Sequence, residues 1–196
     1  MDLQTMKGLI EQALQNPPQE LPFRGDQRYY TYCSYYHLFY LLVKHMAARR
    51  PPSKKVVAVE CGVEGGRGVA SFAAASPQAD VYGYDIKFHG MELCKVLTAY
   101  PNITFIQRSS IPAQLGELPP IDILHLDSAH TYNQVKTEFE TYSPGMAPGG
   151  VILIDDLLQW EEDMGVMRAF NEIPWTKFQD DRVHPGAGYG IVLVPE

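Results

Sequence analysis

Cysteine is scarce in this 196-residue chain: Cys33, Cys61 and Cys94 are the only three, scattered and odd in number. That spacing excludes a disulfide framework and a cysteine zinc site, leaves at least one thiol free, and favours a reducing compartment. Basic residues are also few. Sixteen Lys and Arg against twenty-three Asp and Glu give a formal charge of −7, which repels phosphate backbones over most of the surface and argues against nonspecific nucleic-acid binding. Long apolar runs are missing as well, since none approaches the roughly 20 residues that a membrane-spanning helix requires. The start, MDLQTMKGLIEQALQ, interrupts every apolar pair with polar residues and so lacks the core of a secretion signal. The expectation is a soluble, cytoplasmic protein that engages neither membrane nor nucleic acid. What the chain has in quantity is apolar side chain, 45% of its residues, enough for one well-filled domain.

Two helical patterns come first. Leu3, Met6, Ile10, Ala13 and Leu14 recur at three- and four-residue steps with Asp2 as an N-cap, and Pro17 and Pro18 end the pattern. Tyr29, Tyr32, Tyr36, Phe39, Val43 and Met46 keep the same spacing and stop before Arg49, Arg50, Pro51 and Pro52. Such an aromatic stripe packs against the main domain in its ordinary use; lining a substrate pocket or forming a homodimer are the alternatives. Residues 1–52 are therefore read as an N-terminal helical cap and 53–196 as the catalytic domain, the two making one structural unit.

Beyond Pro52 the texture becomes short β-rich runs, most of them followed by a helical stretch: VVAVE then Arg67 to Ala75, VYGYD then Met91 to Tyr100, ITFIQ, IDILHLD then Tyr132 to Tyr142, and VILIDD then Glu161 to Glu172. This alternation predicts a parallel sheet with helices on both faces and ligands at the edge formed by the strands' C-terminal ends. WTKFQ and YGIVLV are separated by a loop with no room for a helix, which predicts a closing antiparallel hairpin.

The first strand runs into Glu60-Cys61-Gly62-Val63-Glu64-Gly65-Gly66-Arg67-Gly68. Glycines there allow a sharp strand-to-helix turn and close approach of a ligand to the main chain. Asp85, ending the second strand, belongs beside that turn in a βαβ unit, where its carboxylate can accept both hydroxyls of a ribose. The leading Glu60 repels pyrophosphate and suits a cofactor with an ammonium group, such as S-adenosylmethionine. Asp127, Asp155 and Asp156 end two further strands. Converged, three carboxylates are hard oxygen donors for Mg²⁺; taken singly, each could instead cap a helix. His130, three residues after Asp127, is a candidate general base or a helix-start histidine bonded to a carboxylate. His37, His45, His89, His125 and His184 show no comparable setting, and His125, inside a strand, reads as a satisfied core residue.

Together these residues resemble the class I S-adenosylmethionine-dependent methyltransferases from Val56 to Pro195. The likeness is greatest to bacterial small-molecule O-methyltransferases of the macrocin and antibiotic-sugar type and to the cephalosporin hydroxylase group. An ExGxxxG turn, a DxxHxY segment, PGG and a strand ending in DD stand here as Glu60 to Gly66, Asp127 to Tyr132, Pro148-Gly149-Gly150 and Ile154-Asp155-Asp156. The resemblance implies a Rossmann-like sandwich with a mostly parallel seven-stranded sheet. It implies that Glu60, Gly62 and Gly66, with Val63 in the same turn, hold the methionine end of the cofactor, that Asp85 holds the ribose, and that Ser109 or Ser110 meets the adenine edge. Asp127, Asp155 and Asp156 would bind Mg²⁺ or another divalent cation, with Asp127 and His130 at the catalytic centre. Gly68 stands where Ser or Thr is frequent, and Ser128-Ala129 replaces a frequent Gly-Asp pair. The implied activity is Mg-dependent O-methylation of a small hydroxylated molecule. A hydroxylase-like or non-methylating cofactor-binding protein is the alternative, with a nicotinamide-dependent oxidoreductase behind it.

Overall fold

The computed structural model of the chain describes residues 1–16, 21, 34–111, 118–158 and 165–196. Tyr29, Tyr32 and Cys33, and residues 161–164 of the last expected helix, lie outside them.

Among the described residues seven strands form one sheet in the order β3-β2-β1-β4-β5-β7-β6. They are β1 (Val56–Cys61), β2 (Ala79–Asp85), β3 (Ile103–Gln107), β4 (Ile121–Leu126), β5 (Met146–Ile154), β6 (Thr176–Gln179) and β7 (Gly190–Leu193). β1 pairs parallel with β2 and β4, β2 with β3, and β4 with β5, while β7 runs antiparallel to both β5 and β6. The sheet is the expected one, including its closing hairpin. Every residue of β1 and β4 is buried, as their near-continuous apolar runs require of strands covered on both faces.

The helices are α1 (Leu3–Gln15), α2 (Tyr35–Ala47), α3 (Arg67–Ala75), α4 (Gly90–Ala99), α5 (Tyr132–Tyr142) and α6 (Val166–Glu172). Alternate strand residues feed two cores. Val56 and Ala58 pack with α1 to α4 on one face; Val57, Val59 and Cys61 pack with α5 and α6 on the other. Asp2 caps α1 by accepting from the Thr5 amide at 2.8 Å.

In α2, Phe39, Val43 and Met46 of the aromatic stripe are buried, and the Phe39 ring stacks on Phe72 of α3 at 4.3 Å between centroids. These residues thus take the ordinary use of such a stripe, packing against the main domain. The segment after α2 is fastened to the sheet by Arg50, which donates to both carboxylate oxygens of buried Asp122 in β4. Asp122 Oδ2 also accepts from the Val57 amide at 2.9 Å. Among the described residues no helix is long and apolar enough to cross a membrane.

Candidate active site

The sheet's hydrogen bonding continues one residue past the ends of three strands and so aligns the turn and the acids beyond them. Gly62 N donates to Tyr84 O at 2.8 Å, Asp127 N to Cys61 O at 2.9 Å, and Asp155 N to Leu126 O at 3.1 Å. The glycine turn and the acids therefore share one edge, where β1 separates the strands wound to either side, the expected place for a ligand in an open α/β sheet. A cavity of about 500 Å³ opens there, with Asp85 and Asp127 on opposite sides of Gly62 and with Ser109, Ser110, Ser128 and His130 also in its wall.

At the first end, Asp85 is fixed by the backbone. Its Oδ2 accepts from the amides of Val63 and Glu64, both at 3.0 Å, and its Oδ1 from that of Lys87 at 2.9 Å. Burial pulls this carboxyl upward, but the three N–H donors outweigh it and hold it below its ordinary value. Gly62 has φ +91°, and a Cβ there would stand 2.0 Å from the carbonyl oxygen of Asp127; only glycine closes this turn. Gly66, φ +87°, is the left-handed residue that starts α3, and a Cβ on it would strike Leu93.

Not every turn residue expected to touch a cofactor lines the cavity. Val63 and Gly66 do not, nor does Glu60. The Glu60 side chain leaves β1 on the opposite course, is buried, and places Oε1 3.0 Å from Nδ1 of His125. A Cβ on Gly68 would sit 1.8 Å from that same Oε1, so the absence of Ser or Thr at this position has a steric reason. Ser109 and Ser110 both reach the cavity. The Ser109 hydroxyl accepts from the Ile111 amide at 3.1 Å, and the Ser110 hydroxyl donates to Glu138 Oε1 at 2.5 Å.

At the second end the acids are interleaved with imidazoles. His130 sets Nε2 3.1 Å from Asp127 Oδ1 and Nδ1 2.6 Å from Asp156 Oδ2. His184, from the loop between β6 and β7, sets Nδ1 2.6 Å from Asp155 Oδ1. Burial lowers the His130 imidazolium, but Asp127 and Asp156 override it and push it up to about 10. Burial, with Asp155 adding, raises Asp127. Burial lowers His184, but Asp155, with Asp156 and Asp127 adding, leaves it above its ordinary value. Asp156 holds φ +57°, the left-handed region that a non-glycine residue occupies at a cost of about 1 to 3 kcal/mol and that recurs at functional sites. Asp155 and Asp156 are buried and contact the cavity only through their neighbours.

The expectation that the other histidines lack a functional setting fails for three of them. His184 bonds Asp155, His89 lies 3.4 Å from Asp85 and lines the cavity, and His125 joins Glu60 to the cluster. His125 is a core residue, fully buried, but only half satisfied: among the described residues its Nε2 has no hydrogen-bond partner. Glu138 is a further residue that the sequence reading passes over. It is buried in α5, and its Oε1 accepts from Ser110, from Ser128 at 2.7 Å and from Gln134 at 2.9 Å, bracing the cavity floor. The one local signal for it is the i, i+4 pairing of Gln134 with Glu138.

Comparison with known proteins agrees with this geometry. A sequence model described as a methyltransferase domain matches residues 59–157, from within β1 to just past Asp156. An uncharacterised protein of Sinorhizobium fredii, y4gI, is 28% identical over 92 residues, and the chain spans about a tenth of that protein's length. Among solved structures, the O-methyltransferase from Bacillus cereus in complex with S-adenosylhomocysteine superposes with a TM-score of 0.61 at 17% identity, covering 99% of this chain and 92% of the other. An rRNA methylase from Streptococcus thermophilus gives 0.64 at 12% identity, covering 82% and 96%. Cofactor-bound Rv0187 from MTB gives 0.64 at 16% identity, covering 99% and 89%. At these identities the superpositions speak for the fold and leave the acceptor open. The chain belongs to the methyltransferase-domain family and has the Rossmann-like fold of the class I S-adenosylmethionine-dependent methyltransferases.

Proposed function

We propose that the chain transfers the methyl group of S-adenosylmethionine to a hydroxyl oxygen of a small molecule, with help from a divalent cation. The observation that carries this reading is a cavity that takes in both Asp85 beside the glycine turn and Asp127 beside His130. Its volume is that of a small-ligand site. Asp85, held as a carboxylate, can accept from both ribose hydroxyls, while Ser109 and Ser110 flank the space left for the base. Asp127, Asp155 and Asp156 would supply the donor set for the cation, which when bound would lower the acceptor's pKa and orient it. The fit is in the donor atoms: those of His125, Asp127 and Asp155, of Asp127, His130 and Asp156, and of Asp155, Asp156 and His184 each lie within 4.8 Å of one another.

In the transfer, the acceptor oxygen forms a bond to the methyl carbon as the carbon–sulfur bond breaks, leaving S-adenosylhomocysteine. The acceptor's proton goes to His130. In the arrangement above, His130 holds its own proton against two carboxylates; it becomes a base only when positive charge from elsewhere neutralises Asp127 and Asp156. A net charge of −7 favours a small, uncharged or cationic acceptor over nucleic acid. The test is calorimetry against S-adenosylhomocysteine, followed by transfer of labelled methyl to a panel of phenols and sugars with and without Mg²⁺. Cofactor binding at micromolar affinity and label in an ether product support the reading. Label in nitrogen or carbon products, or undiminished turnover after exhaustive chelation, overturns it.

A further inference from the structure

Resting on the placement of a divalent cation among these acids, we propose that His125 supplies an imidazole nitrogen to that ion while Glu60 orients the ring. The centre is then a mixed nitrogen and oxygen site, fitted to a first-row transition ion such as Mn²⁺, Fe²⁺, Co²⁺ or Zn²⁺ in preference to Mg²⁺.

His125 lies on β4 and Asp127 one residue past its end, where the Asp127 amide still bonds Cys61 O, so the two residues share the parity of one sheet face. The register sets His125 beside Glu60 of β1 and Leu153 of β5. The ring is fully buried. Its Nδ1 lies 3.0 Å from Glu60 Oε1, and its Nε2 has no hydrogen-bond partner among the described residues. The metal-binding atoms of His125, Asp127 and Asp155 all lie within 4.8 Å of one another. With Nδ1 engaged by Glu60, Nε2 is the nitrogen left to bind an ion. The Tyr189 hydroxyl, also buried and without a partner, belongs to the same wall, its ring 6.1 Å from that of His125.

A core histidine satisfied by Glu60 alone leaves a buried nitrogen unmet, which costs on the order of 1 to 3 kcal/mol; an ion held with Asp127 and Asp155 would meet it. A carboxylate on the far nitrogen and an ion on the near one is the usual arrangement of a metal-binding histidine. His184, bonded to Asp155, holds that ligand from outside in the same way. Mg²⁺ takes an all-oxygen shell, whereas an imidazole donor suits the later ions.

Divalent affinities alone do not decide the matter, since most sites prefer the later ions. The test loads chelated protein with Mn²⁺ and looks by pulsed electron paramagnetic resonance for coupling to a directly bound imidazole ¹⁴N. The coupling is expected in the wild type, retained in His130→Gln and His184→Gln, and lost in His125→Gln. Equilibrium dialysis should show Co²⁺ affinity reduced at least tenfold in His125→Gln and by about 10- to 100-fold in Glu60→Gln, with Mg²⁺ affinity changed less than about twofold. A wild-type spectrum with oxygen ligands only overturns the proposal while leaving the carboxylate site intact, and needs no variant to fold. Absence of any bound divalent ion overturns both. Coupling that survives in His125→Gln assigns the nitrogen elsewhere and also overturns it.

Discussion

At one end of the cavity Asp85 is held by three amides from residues within about two dozen positions of it in the chain, whereas at the other end the contacts of the acid–imidazole cluster beyond His130–Asp127 and Asp156–Asp155 join separate strands or loops. Glu60 meets His125 across 65 residues and His184 meets Asp155 across 29. The first end is made by a single βαβ unit. The second exists only when β1, β4, β5 and the closing hairpin are all in register. The binding end should therefore respond to substitution one contact at a time, and the reacting end as a network.

The largest effect expected is on the binding end. Asp85→Ala removes the acceptor for two ribose hydroxyls, each charge-assisted bond worth about 1.5 to 3 kcal/mol, and frees the amides of Val63, Glu64 and Lys87 as well. S-adenosylhomocysteine affinity measured by calorimetry should fall by about 10²- to 10⁴-fold. At the reacting end, His130→Gln should lower kcat by about 10²- to 10⁴-fold while the same Kd moves only a few-fold. Equal damage to Kd in both variants would show that the two ends are not separable.

A smaller loss is expected at the hinge between them. Gly68→Ala adds a Cβ 1.8 Å from Glu60 Oε1. Alanine favours a helix over glycine by about 1 kcal/mol, but overpacking in a closed core costs about 1 to 3 kcal/mol, so the thermal midpoint should drop. A rise would mean that the Glu60 carboxylate swings aside freely.

The mildest effect is on pH dependence in chelated protein. The folded His130 is raised to about 10 from about 6.5 when unfolded, so its stabilisation is complete below pH 6.5 and is lost as pH climbs toward 10. Asp127, also raised, acts in the same direction. The denaturant midpoint should therefore decline from pH 6 to 8, and ¹⁵N shifts of His130 should report an imidazolium at pH 7. Neutral-imidazole shifts there would contradict the double pairing with Asp127 and Asp156.

Legibility in the sequence divides along the same line. The strands themselves, the closing hairpin and the pairing of the glycine turn with Asp85 were legible because each rests on periodicity or on short intervals: period-two and continuous apolar runs, and a βαβ unit that fixes its own geometry. His184 and Glu138 were not. One sits in a polar loop and the other on a helix of ordinary polar texture, and their roles come from which strands lie side by side, which no local pattern encodes. Glu60 shows an intermediate case. Its place at the turn was evident, but its parity on β1 sends the side chain toward the α1 to α4 face, away from the cavity, and that parity acquires meaning only once His125 is known to stand beside it.

The contact between Glu60 and Gly68 couples these two positions. The Glu60 carboxylate lies over the first turn of α3, and any side chain at the second residue of that turn competes with it for the same few cubic ångströms, so in this fold one of the two can grow only if the other moves or shrinks. A Glu60→Gln, Gly68→Ser double-mutant cycle would not relieve that crowding, because glutamine is as large. A cycle with Glu60→Ala would, and its coupling energy measures how strongly the two choices exclude each other.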